Sequence, residues 1–166
     1  MRTAVALGSN LGDRLENLRA ARRAIADLAS VKPPVLSSPI YETEPVDCEP
    51  VADKFLNAVV EFDYESDPAR LLEQLIRIEE AFGRRRDHLK NVSRTIDIDL
   101  LYCGDRNIEG QRFQLPHPRL HLRKFVLQPL ADIRPGLVLP GQTKTVGELL
   151  EELKGSGEVV RFRDNW

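Results

Sequence analysis

Apolar residues recur along the chain with two different periods. Thr3 to Leu7 is a short, nearly continuous apolar run that stops at Gly8, and it reads as a buried strand. Beyond Gly12 the spacing widens: Leu15, Leu18, Ala21, Ile25 and Leu28 recur at helical intervals. Asp13 is placed to cap that helix, with Glu16 three positions on as in a capping box. Lys32-Pro33-Pro34 should act as the breaker, because proline has no amide hydrogen to donate. Val35 to Thr43 is extended, and Pro39 within it points to an edge or irregular strand, whereas Phe55 to Phe62 is a cleaner strand. Glu44 to Asp53, with two prolines and several acids, is the loop between them. Asp67-Pro68 supplies an N-cap and a proline at the first helical position, after which Leu71, Leu75, Ile78 and Phe82 mark one face up to Gly83. Thr95 to Tyr102 begins as an alternating strand, and Gly104-Asp105 turns the chain back.

The order strand, helix, strand, strand, helix, strand predicts an α+β fold with a ferredoxin-like βαββαβ core, an antiparallel-rich sheet with helices packed on it. Helices expected over Lys124 to Ile133 and Val146 to Leu153 make a C-terminal helical extension, and the whole of 1–166 is expected to be one catalytic domain. With 42% hydrophobic and 30% charged residues the chain should be a soluble globule. Its apolar stretches are strand-sized and its N-terminus turns polar early, which predicts no membrane span and a cytoplasmic address. Cys48 and Cys103 are far apart and belong to no CxxC or Cys/His cluster, so both are expected to be reduced, inert thiols.

A net charge of -2 points to neither a nucleic-acid nor a membrane partner, but the basic residues are unevenly spread. Arg84, Arg85, Arg86, Lys90 and Arg94 face only Asp87 in their segment, and Arg112, Arg119, Arg123 and Lys124 stand in another with no acid. Asp97 and Asp99 lie two apart on the predicted strand, so they share a face while Ile96, Ile98 and Leu100 turn to the core. Two same-face carboxylates repel, and a divalent cation would relieve them; magnesium suits such oxygen ligands because it shares its shell with water and substrate phosphates. Arginines beside that site are suited to gripping phosphate. The chain has no GxxxxGK[ST], and Gly8-Ser9-Asn10-Leu11-Gly12 lacks a lysine, so a P-loop is excluded. His117 is held between Pro116 and Pro118, and Phe55, Asn57 and Phe125 could sandwich and read a flat heterocycle. Two alternatives are an RNA-binding module and a magnesium-dependent transferase acting on another alcohol. The first predicts aromatics on the central strands, where Thr95 to Tyr102 offers acids.

Taken together, Gly8-Ser9-Asn10-Leu11-Gly12, Tyr41-Glu42-Thr43-Glu44-Pro45, Phe55-Leu56-Asn57-Ala58, Gly83-Arg84, Arg94-Thr95-Ile96-Asp97-Ile98-Asp99-Leu100-Leu101 and Leu115-Pro116-His117-Pro118-Arg119 resemble the 6-hydroxymethyl-7,8-dihydropterin pyrophosphokinase family, essentially from end to end. The resemblance implies transfer of the terminal pyrophosphate of ATP to the hydroxymethyl group of 6-hydroxymethyl-7,8-dihydropterin, by an enzyme expected to act as a monomer. It implies that Asp97 and Asp99 hold two Mg2+ ions and that Arg84 and Arg94 are catalytic. Glu79, Ile98, Arg112, His117 and Arg123 would join those arginines in binding ATP. Thr43, Glu44, Val46, Phe55, Asn57, Asp97 and Phe125 would bind the pterin. Lys90-Asn91-Val92-Ser93 departs from the aromatic, glycine and proline that many members carry there, so an aromatic lid contact is missing.

Overall fold

The computed structural model describes residues 1–45, 53–83, 94–111, 113–155 and 157–166. Its elements run β1 (Arg2–Ser9), α1 (Arg14–Ala26), β2 (Val31–Ser37), β3 (Ile40–Thr43), β4 (Phe55–Tyr64), α2 (Pro68–Ala81), β5 (Asp97–Cys103), β6 (Ile108–Glu109), β7 (Gln114–Leu115), a 3-10 turn (Leu120–Leu122), α3 (Lys124–Ile133), α4 (Val146–Glu152) and β8 (Val159–Arg163). From Thr3 to Ser9 both faces of β1 are buried, only Ala6 being half-covered. A strand with no wet face belongs inside a sheet with a layer on each side. β1 accordingly lies between β4 and β5, in a sheet of order β5-β1-β4-β3-β8, with β2 also on β4; every pairing is antiparallel. This is the arrangement expected of the βαββαβ core.

Alternation along the strands divides the interior in two. Val5 and Leu7 point to α1 and α2, where they meet Leu18, Ala21, Ile25, Leu71 and Leu75. Ala4, Val59 and Leu101 point the other way, to Leu127 and Leu130 of α3 and to Val146 and Leu149 around α4. The C-terminal extension is therefore a second covering layer. Tyr41 ties β3 to it by donating its hydroxyl to Asp132 at 2.6 Å. Burial, with that bond, pushes the phenol up to about 12.

Three local outcomes differ from the sequence expectations. Val35 to Thr43 is two strands rather than one; α1 ends before Lys32-Pro33-Pro34 as expected, at Ala26, but those residues lie within β2. The β2–β4 register breaks between Lys32 and Leu36, so the prolines occupy a bulge where a missing amide hydrogen costs no ladder bond. Ser38 bridges the interruption: its hydroxyl accepts the Val59 N–H and its own N–H donates to the Val59 carbonyl, both at 2.9 Å. The second difference is β8, which adds an outer strand to β3. The third concerns caps. Asp13 accepts the Glu16 N–H as expected, but the complete reciprocal box forms at Thr145 and Glu148. Asp67 caps α2 by accepting the Ala69 N–H, with Pro68 in the first turn.

Candidate active site

Strand register places the site. Gly8 of β1 pairs with Asp97 of β5 on one side and with Asn57 of β4 on the other, and Asn57 pairs in turn with Tyr41 of β3. One row down, Ala6 stands between Asp99 and Val59. Directly paired residues share a face, so Asp97 and Asp99 stand on the α3 side, above two of the smallest side chains in the chain. A bulge at Leu101 closes the pattern: Val5 pairs with Leu100 but Ala4 with Tyr102, which keeps both Leu101 and Tyr102 in the α3 core. α3 begins only at Lys124, so this upper end of the face is left uncovered and becomes a cavity.

The cavity of about 130 Å3 has Ala6 and Gly8 at its floor and Thr43, Phe55, Asn57, Asp97, Asp99 and Phe125 among its walls. Asn57 is buried and donates from Nδ2 to Thr43 Oγ1 at 2.8 Å, which fixes its amide with the oxygen free to accept. A Cβ on Gly8 would stand 3.4 Å from that oxygen. Phe55 and Phe125 thus share a small chamber with a fixed amide, the chemistry for holding a flat, hydrogen-bonding ring. Glu44 lines its rim, paired with Lys54 at 2.6 Å.

A cleft of about 840 Å3 opens on the same two carboxylates and is lined by Arg94, Arg119, Arg123 and Lys124 on one side and Leu72, Ile76, Glu79 and Ile98 on the other. Ile98 itself packs in the α1/α2 core, facing away from Asp97 and Asp99. It can line the cleft because β5 is an edge strand, around which a large ligand can pass. Glu79 is buried on that side and accepts the Ile98 N–H at 2.8 Å, holding the edge of β5 to α2.

Each carboxylate is met by a guanidinium. Arg94 Nη1 donates to Asp97 Oδ2 at 2.7 Å and Arg123 Nη1 to Asp99 Oδ2 at 2.8 Å. Arg123 also lies over the Phe125 ring, 5.6 Å from its centroid. His117 is fixed by its N–H to the Leu101 carbonyl at 2.8 Å, and its Nδ1 accepts the Arg119 N–H at 3.2 Å. That leaves Nε2 as the protonated nitrogen of the neutral ring, 3.9 Å from Asp99 Oδ2. Burial pulls the imidazole below its ordinary range, with Asp99 opposing and Arg123 and Arg119 assisting.

The structure therefore brings together Thr43, Glu44, Phe55, Asn57, Asp97, Asp99, Arg94, Arg123 and Phe125 around one chamber, with Glu79, Ile98 and His117 around the adjoining space. Arg84, Val46 and Arg112 lie outside the described residues, as does the departure at Lys90-Asn91-Val92-Ser93. Sequence reasoning missed Ala6 as floor, whose signal was a small residue among the apolar positions of β1. It also missed Leu72 and Ile76, which look like any other apolar positions of α2.

A family model described as 7,8-dihydro-6-hydroxymethylpterin-pyrophosphokinase matches residues 4–135. Two proteins named 2-amino-4-hydroxy-6-hydroxymethyldihydropteridine pyrophosphokinase are similar over most of their length. That of Bacillus subtilis is 44% identical over 129 residues, 78% of this chain and 75% of its own. That of Haemophilus influenzae is 37% identical over 148 residues, 89% of this chain and 90% of its own. Among solved structures, Plasmodium falciparum HPPK-DHPS wild type with pterin and p-hydroxybenzoate matches with a TM-score of 0.69 at 16% identity. That match covers 92% of this chain but 44% of the longer one, and its likeness is one of fold.

Proposed function

This chain belongs to the 7,8-dihydro-6-hydroxymethylpterin-pyrophosphokinase family, and from that premise we propose how its residues share out the reaction. The enzyme transfers pyrophosphate from ATP to hydroxymethyldihydropterin in folate synthesis. The observation that carries the assignment is the position of Asp97 and Asp99, on the boundary between the small chamber with its fixed amide and the wide arginine-lined cleft. The chamber takes the pterin, with Phe55 and Phe125 against its faces and Asn57 and Thr43 at its edge. The cleft takes ATP, with Arg123 and Glu79 along it and His117 in the adjoining space beside Asp99.

Asp97 and Asp99 are partly open to solvent, with 25% and 34% of their side chains exposed. Among the described residues no cluster of three acidic, histidine or cysteine side chains could cage a metal alone. Two partly open carboxylates suit Mg2+, which we propose binds as two ions that would complete their shells with water and substrate oxygens; when bound, the metal would supply charge neutralisation beside the reacting oxygens. The pterin hydroxyl oxygen forms a bond to the β-phosphorus, the bond from that phosphorus to the α–β bridging oxygen breaks, AMP leaves with that oxygen on its phosphate, and the hydroxyl proton passes to solvent water. Arg94 and Arg84 stabilise the charge on the transferring group, and Arg123 exchanges Asp99 for phosphate. We take the chain to act as a monomer, with one catalytic domain across 1–166. No described helix is long and apolar enough to cross a membrane, and we place the enzyme in the cytoplasm.

Calorimetry with a non-hydrolysable ATP analogue, magnesium and the pterin tests the division into two spaces. Saturating analogue should leave pterin binding intact or tighten it. Competition between the two would put both ligands in one cavity and overturn the assignment.

A further inference from the structure

Gly8-Ser9-Asn10 is a motif of which the reaction above uses only the glycine. Ser9 and Asn10 are almost wholly buried, and both turn toward the chain that enters β5. Ser9 Oγ donates to the Thr95 carbonyl at 2.6 Å and accepts from Asn17 Nδ2 at 3.2 Å. Asn10 does more. Its Oδ1 accepts the backbone N–H of Arg94 at 2.6 Å, and its own N–H donates to the Arg94 carbonyl at 3.1 Å. Its Nδ2 reaches the other way, to the Asp53 carbonyl at 3.3 Å. A backbone N–H can be met only by an oxygen and a carbonyl only by the amide NH2, so the two partners together set the orientation of the side chain.

The two ends of this bridge lead to different substrates. Arg94 carries the guanidinium that closes on Asp97 at 2.7 Å. Asp53 precedes Lys54, whose carbonyl is held by Arg14 at 2.7 Å, and Phe55, a wall of the small chamber. We propose that Asn10 is the positioning residue of the site: it fixes the backbone of Arg94 so that the guanidinium meets the transferring group, and it sets that arginine in register with the pterin wall through Asp53. It touches neither substrate. The proposal rests on the catalytic reading of Arg94 given above.

Misplacing a reacting group by 1 Å costs about a hundredfold in rate, so Asn10→Ala should lower kcat by about that factor while MgATP affinity stays within about threefold. In the Arg94→Ala background the same change should lower kcat little further, because residues acting as one unit are not additive. An equal loss in both backgrounds, or weakened MgATP binding with kcat unchanged, overturns the proposal. Asn10→Asp keeps an acceptor for the Arg94 N–H and replaces the donor to Asp53. It should keep that amide protected from hydrogen exchange and raise the KM for the pterin more than it lowers kcat. If Asn10→Ala does not fold, Asn10→Asp decides the matter alone: a fall in kcat matching Arg94→Ala, with pterin KM unchanged, overturns it. Failure of the underlying reading appears separately, as wild-type turnover in Arg94→Ala itself.

Discussion

At the scale of single residues, Asp97 and Asp99 are balanced before any ligand arrives. Sequence alone predicts mutual repulsion relieved by a cation, and hence an apo protein that gains stability when one carboxylate is removed. The Arg94 and Arg123 pairs change that expectation, since each removal now strands a guanidinium. Ion pairs this exposed are worth about 1 kcal/mol or less, so Asp97→Asn and Asp99→Asn should melt at or slightly below the wild-type temperature. Turnover should fall by at least about a hundredfold, the size of effect seen when one transition-state contact is lost. Pterin-dependent AMP release together with thermal melts checks both, and either variant at wild-type activity removes the metal assignment. The carboxylate pair was legible because a period of two is all it needs. Asn10 was not, because its partners are backbone atoms 43 and 84 positions away, which no local pattern encodes.

At the scale of elements, the helices were legible where spacing and caps agreed: α2 runs from its Asp67 cap to Phe82, with Gly83 beyond it at a positive φ of 85°. The strands that went unread are those fixed by distant partners. β8 exposes most of its side chains, so it carries little hydrophobic signal and exists because the edge of β3 offers it a ladder. Its anchor lies three residues beyond the strand. Trp166 donates from Nε1 to the Ser38 carbonyl at 2.8 Å, and Arg22 of α1 lies 4.6 Å from the ring centroid. Trp166→Ala should therefore cost about 1–3 kcal/mol, read from the midpoint of urea unfolding, through lost packing and an unpaired carbonyl. The kcat should not change, since Trp166 lines neither substrate space; a large fall in kcat at unchanged stability would contradict this.

At the scale of the whole molecule, the two interiors carry different responsibilities. The α1/α2 side holds the sheet, while the α3/α4 side also sets where Arg123 and Phe125 stand, because α3 rests on Leu127 and Leu130. Leu127 is fully buried, and Leu127→Ala should cost about 2–5 kcal/mol from lost transfer energy and the cavity left behind. That variant should also bind the pterin less well, because Phe125 loses its support. Ligand binds only the folded chain, so the analogue and pterin together, at about a hundred times their dissociation constants, should return roughly 2.7 kcal/mol for each site filled. Calorimetric melts with and without ligands measure both effects, and an unsupported α3 that left pterin affinity untouched would separate stability from function. The βαββαβ core could be read from the order of elements. That the later helices form the opposite wall of the site could not, because their apolar faces do not say which side of the sheet they cover.

The bare floor at Gly8 also bears on how resistance to a competitive inhibitor can arise. An added Cβ there would already stand 3.4 Å from Asn57 Oδ1 and 3.7 Å from the Phe55 ring, and every replacement of glycine brings at least that atom. With the pterin in the chamber as proposed, a drug resting on this floor would occupy the same depth as that ring. Any mutation at Gly8 that expels the drug takes the substrate's place as well. Selection is thereby pushed outward to the rim, where Glu44 and Arg123 stand and where the two molecules can differ in shape and charge. An inhibitor confined to the floor leaves resistance few routes that do not cost the cell its folate.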